Sequence, residues 1–159
     1  MKKIKNLLLL LLVCTSLVSL TGCTEQNVEG TLDEIITKIY TDIPSDEMPM
    51  LENIDVLEVV PDNIEYYIGT TDIEYKEILA SEPMMSSVAY SVVLVRMEEG
   101  ADIEAAKTAI KENVNPAKWL CVEVPKEDVI VKNKGDLIIL IMVENEETRN
   151  KIEEGFDNL

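Results

Sequence analysis

The chain opens with Lys2, Lys3 and Lys5 and then runs apolar from Leu7 to Leu20, broken only by Thr15, Ser16 and Ser19. A helix that spans a bilayer needs roughly 17 to 25 apolar residues, so this shorter run predicts a cleavable signal peptide and no permanent span. Thr24 to Gly30 is short and polar, a tether. Thr31 and Glu34 then have the spacing of a capping box, and Leu32, Ile35, Ile36, Ile39, Tyr40 and Ile43 fall on one helical face. The pattern predicts a helix over Leu32 to Asp42, stopped by Pro44. Ser45 to Pro61, acidic and punctuated by prolines, reads as a long loop.

Ile64, Tyr66 and Ile68 alternate with Glu65 and Tyr67, which predicts a short strand. Thr71 and Glu74 suggest a second capping box and a helix to Ala80 before Pro83. Val88 to Met97 is rich in β-branched residues and predicts a strand. Asp102 can cap a helix whose face is Ile103, Ala106, Ile110 and Val114, closed by Asn115 and Pro116. Val129 to Lys132 and Leu137 to Val143 flank Asn133, Lys134, Gly135 and Asp136 and read as a hairpin. The tail from Glu144 is a polar surface helix with Ile152 and Phe156 to bury and Glu147 and Lys151 as an i,i+4 pair.

These elements predict an α+β fold, a small and mostly antiparallel sheet with helices packed on one face. Leu137 to Val143 is apolar at every position, so both of its faces require cover. Either the second face is an interface for a protein partner or a second copy, or the strand is central and covered on both sides within the monomer.

Composition sharpens the N-terminal reading. Leu20, Thr21, Gly22 and Cys23 form LTGC, which looks like a bacterial lipobox, where the thiol takes a diacylglyceryl group and cleavage follows Gly22. The expected organisation is a signal peptide over 1–22, the lipidated Cys23 with its tether to residue 30, and one globular domain over 31–159. Two acyl chains suffice for stable anchoring. The whole chain carries 31 acidic and 14 basic side chains, a net charge of −17. Cleavage removes three lysines and no acid, which takes the mature chain to about −20. That charge disfavours anionic headgroups and, with no basic stretch, excludes nucleic-acid binding. Cys14 leaves with the signal and Cys23 is acylated, so Cys121 is the one thiol left and no intrachain disulfide can form.

Candidate chemistry is sparse. The chain has no His, no GxGxxG, Walker A, GxSxG, SxxK, HExxH or CxxC pattern, and no two of its six glycines lie within six residues of each other. No catalytic residue, cofactor or metal ligand is assigned. Cys121, among Trp119, Leu120 and Val122 and without a His partner, reads as packing. The acidic clusters at Asp42, Asp46 and Glu47, at Glu98 to Glu104 and at Glu144 to Glu147 do not fit a Ca²⁺ loop and read as solvated faces. Of the methionines, Met97 and Met142 read as core, whereas Met48 to Leu51 suggests a loop lying on apolar surface.

The stretches MMSSVAYSVVLVR (Met84 to Arg96), NPAKWLCVE (Asn115 to Glu123) and VIVKNKGDLIILIM (Val129 to Met142), behind a lipobox, resemble a family of small Gram-positive lipoproteins with a domain of unknown function. The resemblance implies a compact α+β domain on the outer face of the cytoplasmic membrane. It brings no activity or ligand. The expected function is that of a lipid-anchored, non-enzymatic interaction module, with the membrane as one partner and the sheet face or the Met48 to Leu51 loop as contact surface. The alternative is a carboxylate- or metal-dependent hydrolase of the cell envelope, which would need converging acids in a cleft.

Overall fold

A computed structural model of the chain describes residues 27–41, 43, 54–58, 61–83 and 87–159. The expected signal segment over 1–22, Cys23 and the Met48 to Leu51 stretch read as a loop lie outside them. Helix α1 (Leu32–Thr41) is followed by β1 (Ile54–Glu58), α2 (Ile64–Ile68), β2 (Tyr75–Pro83) and β3 (Tyr90–Met97). Then come α3 (Ile103–Asn113), β4 (Ile130–Lys134), β5 (Leu137–Val143) and α4 (Glu146–Asp157). Among the described residues the strands form one antiparallel five-stranded sheet in the order β1-β2-β3-β5-β4. The α+β class and the antiparallel sheet are those the pattern predicts.

The local signals that were complete in themselves form as written. At the start of α1 the Thr31 N–H donates to Glu34 Oε2 at 3.0 Å and the Glu34 N–H returns to Thr31 Oγ1 at 3.3 Å. Asp102 caps α3 by accepting from the Ala105 N–H at 2.9 Å. In the β4–β5 hairpin Lys134 pairs with Leu137, so the turn is only Gly135 and Asp136. Gly135, at φ 57°, takes the left-handed position.

Three of the expected elements change. Residues 64–68 are helical: Ile64, Tyr67 and Ile68 are buried at the i, i+3, i+4 spacing of a helix, and Gly69 closes it at φ 77°. The 71–80 stretch is not a helix, because its β2 portion is hydrogen-bonded on both sides, to β1 and to β3, and two ladders outweigh the helix preference of Lys76, Glu77, Leu79 and Ala80. The Thr71–Glu74 box does not form; the Asp72 N–H donates to Thr70 Oγ1 at 3.0 Å. Residues 54–58, inside the expected loop, are the edge strand β1.

The helices pack on both faces of the sheet, not on one. Ile138, Leu140 and Met142 point to a core shared with α2, α3 and the irregular segment after α3. Leu137, Ile139, Ile141 and Val143 point the other way, to Ile35, Ile36 and Ile39 of α1 and Ile152 and Phe156 of α4. All seven β5 residues are therefore buried. The sheet face offered as an interface for a partner or a homodimer is closed by the chain's own helices. A Cβ on Gly155 of α4 would stand 2.5 Å from the Ile39 carbonyl oxygen, which shows how closely the two covering helices approach.

The edge strand β4 is fenced by side chains. Lys132 reaches Glu153 at 3.0 Å and Asp157 at 2.7 Å, Lys134 donates to the Asp157 carbonyl at 2.9 Å, and from α3 Lys107 donates to Asn133 Oδ1 at 2.7 Å and Lys111 to the Val129 carbonyl. Arg149 of α4 donates to the Val143 carbonyl at 2.9 Å, which ties the helix to the end of β5.

Candidate functional site

Ser81, Glu82 and Ser91, three of the polar residues buried inside this apolar sandwich, gather where β2 ends and β3 begins. Alternation along the strands sends Ser81 to the α1 face and Glu82 and Ser91 to the α3 face. On the α1 face the Tyr90 hydroxyl donates to Tyr40 at 2.8 Å, and Tyr40 donates to Ser81 Oγ at 2.9 Å. Burial pushes Tyr40 from its ordinary 10 up to about 12, opposed in part by its hydrogen bonds to Ser81 and Tyr90. Burial, then the neighbouring Tyr40, drives Tyr90 well above its ordinary value.

Both phenols are neutral in the fold but ionise near pH 10 once unfolded. Their contribution is therefore complete below pH 10 and is lost as the pH climbs towards and through 12, on the order of 3 kcal/mol for Tyr40 alone. We expect phenolate absorbance from these two residues to appear only together with loss of the far-UV dichroism. If all five tyrosines titrated near pH 10 with the dichroism unchanged, the buried relay would be wrong.

On the α3 face the segment after α3 carries Lys118 inward. Asn115 Oδ1 accepts from the Ala117 N–H at 3.0 Å, and the Val124 N–H closes the loop on the Pro116 carbonyl at 2.9 Å. The Lys118 side chain is 3% exposed, and its ammonium lies 2.5 Å from Glu82 Oε1. Ser91 Oγ donates to the same carboxylate oxygen at 2.6 Å and accepts from Lys118 at 3.3 Å. Three rings surround the ammonium, with centroids at 4.5 Å for Tyr66, 5.2 Å for Tyr67 and 5.5 Å for Trp119. Burial lowers the lysine pKa, and the Glu82 charge and hydrogen bond hold it back up in part.

Ser91 beside Lys118 has the composition of a nucleophile and base, but the geometry is that of a clamp. A serine nucleophile must give its proton to the base and face a substrate. Here Ser91 is fully buried and its proton is directed to Glu82. The cluster pins the 114–125 segment across the sheet and holds its tip outward, where Leu120 is 66% exposed. Cys121 is exposed at φ 63°, so the packing expected of it is overturned. Tyr66, 49% exposed, flanks the same lysine.

Among the described residues no three acidic or Cys side chains converge to hold a metal ion. Glu98 and Glu99 are exposed in a turn, and Glu104 pairs with Lys107 at 2.6 Å. Glu147 pairs with Lys151 at 3.4 Å, as its spacing predicts. Met97 and Met142 are core. Cys23, the residue expected to be lipidated, and the Asp42, Asp46, Glu47 cluster are outside the described residues.

Sequence patterning singled out none of Glu82, Ser91, Lys118 or Arg96, although Arg96 is a lone charge in the apolar strand YSVVLVRM and could have been flagged. No helix among the described residues is long and apolar enough to cross a membrane. Comparison of the chain with protein-family models, with curated proteins and with solved structures found no match.

Proposed function

We propose that this chain is a lipid-anchored protein of the outer face of the bacterial cytoplasmic membrane, and that it works there by contact and not by catalysis. The observation that carries the reading is LTGC at Leu20 to Cys23, directly behind a basic start and an apolar run too short to span. The likeness to small Gram-positive lipoproteins agrees with it. Contact, not chemistry, is supported by the way the buried serine and lysine neutralise each other's chemistry through Glu82. The contact surface is the end of the domain that carries exposed Tyr66 and Leu120, since the sheet faces are closed.

The test is Cys23→Ser in cells. The wild type should fractionate with membranes, with an intact mass that starts at Cys23 and includes a diacylglyceryl group. The variant should lose both. A variant that kept the membrane fraction and the processed mass would sink the anchor.

A further inference from the structure

Arg96 is a buried arginine near the end of the central strand β3, 7% exposed, on the face of α1. Desolvating a guanidinium is costly unless its donors are met. Here the acceptors come largely from the chain's own tether. Nη1 donates to the Val28 carbonyl and Nη2 to the Gly30 carbonyl, each at 2.8 Å, while Nε donates to Glu77 Oε1 at 2.8 Å and Asp136 Oδ1 lies 3.5 Å away. Next to it the Asp136 N–H donates to Asn27 Oδ1 at 3.2 Å. Residues 27–30, which composition reads as free leash, are hydrogen-bonded to the sheet end that carries the 98–101 turn and the Gly135–Asp136 turn.

We propose that this clip fixes which end of the domain faces the membrane, so that the partner of the Arg96 end is the lipid surface that holds Cys23. The proposal rests on the anchor argued above. Only Thr24, Glu25 and Gln26 separate Cys23 from the first clipped residue, and four residue steps span at most about 14 Å. Strand β3, from Tyr90 to Met97, measures about 24 Å at 3.4 Å per residue. A leash shorter than the sheet cannot let the domain turn over. Glu98 and Glu99 are exposed in the turn at the Arg96 end, and their charge holds that end off anionic headgroups. The Lys118 cluster, with Tyr66 and Leu120, is at the opposite end of β3 and points away from the membrane.

The experiment uses the full lipidated chain in vesicles of phosphatidylglycerol and phosphatidylcholine that carry a headgroup-linked energy acceptor. In a C121S background a donor is placed on E99C, at the Arg96 end, or on E144C, where β5 meets Ala89; the Cys23 sulfur is blocked by its lipid. The E99C donor should sit closer to the acceptor plane by on the order of 20 Å, the rise of the strands between the two sites. R96Q should collapse that difference. Because R96Q also loses a buried ion pair, a second variant inserts a long Gly-Ser segment between Gln26 and Asn27, leaving the domain unchanged, and it too should collapse the difference. Equal transfer from both donors in the lipidated protein would overturn the orientation alone. So would a difference that survived the inserted segment. A protein whose mass lacked the diacylglyceryl group would remove the anchor, and the orientation with it.

Discussion

Replacing Lys118 by Met should cost about 3–5 kcal/mol of unfolding free energy, because it leaves the Glu82 carboxylate buried without its cation. The side chain of Glu82 is only 10% exposed, so water cannot take over the role of the ammonium. Ser91 would remain as one hydrogen-bond donor where a charge needs several. Natural domains carry roughly 5–15 kcal/mol in total, so the loss is a large part of what holds the fold. Replacing both partners, Lys118→Met with Glu82→Gln, should recover most of it. The Gln keeps an acceptor for Ser91, and a buried neutral amide costs far less than an unpaired buried carboxylate. Urea unfolding followed by Trp119 fluorescence, the only tryptophan signal in the chain, and by far-UV dichroism measures both effects. A single-variant loss below about 1 kcal/mol would mean that the pair behaves as a surface salt bridge and is not a clamp.

A comparable loss is expected from Gly69→Ala. Gly69 ends α2 at φ 77°, and an added Cβ would lie 2.3 Å from the backbone carbon of Asn113 and the backbone nitrogen of Val114, where α3 ends. Neither neighbour is a side-chain tip that could swing aside. The left-handed conformation costs a non-glycine residue about 1–2 kcal/mol, and overpacking against fixed backbone adds about 1–3 kcal/mol. Gly100→Ala is the control. It has φ 87° but open space around the new Cβ, so it should lose only the conformational part. If the two variants unfolded at the same urea concentration, the close approach of α2 to α3 would be refuted.

The elements legible in the sequence were those whose signals are local. The Thr31–Glu34 box, the Asp102 cap and the Gly135–Asp136 turn each lie within a few residues, and each forms. Residues 64–68 fit two periods at once, since Ile64 and Ile68 belong equally to an alternating strand and to a one-turn helix. Gly69 just beyond was the signal for the helix. Strand β2 is illegible locally because it owes its state to two neighbours, one of them from a stretch that reads as loop. The apolar Leu137 to Val143 did announce cover on both sides. What hid the second helical layer is that α4 brings only two large apolar side chains, Ile152 and Phe156, to the task. The buried cluster had no spacing to recognise: Ser91 is nine residues from Glu82, and Lys118 is a further 27 away. The β2–β3 pairing brings Ser91 beside Glu82, and the loop after α3 delivers Lys118 to both.

The strand order carries a consequence for how the chain matures. The last strand in sequence, β5, sits between β3 and β4. A polypeptide that emerges N-terminus first can assemble β1, β2 and β3 early, yet β3 keeps one unpaired side until residue 143 is out. Strand β4 has no partner before then either, because β5 is its neighbour in the sheet. The sheet therefore cannot close until β5 has appeared, after its four other strands. Until it closes the segment Leu137 to Val143, β-prone and without a charge, is the part most able to seed self-association. Lys132 and Lys134 before it and Glu144, Glu146 and Glu147 after it place charges on both flanks. The same lysines that later fence the edge strand thus act first as gatekeepers of the unfinished chain.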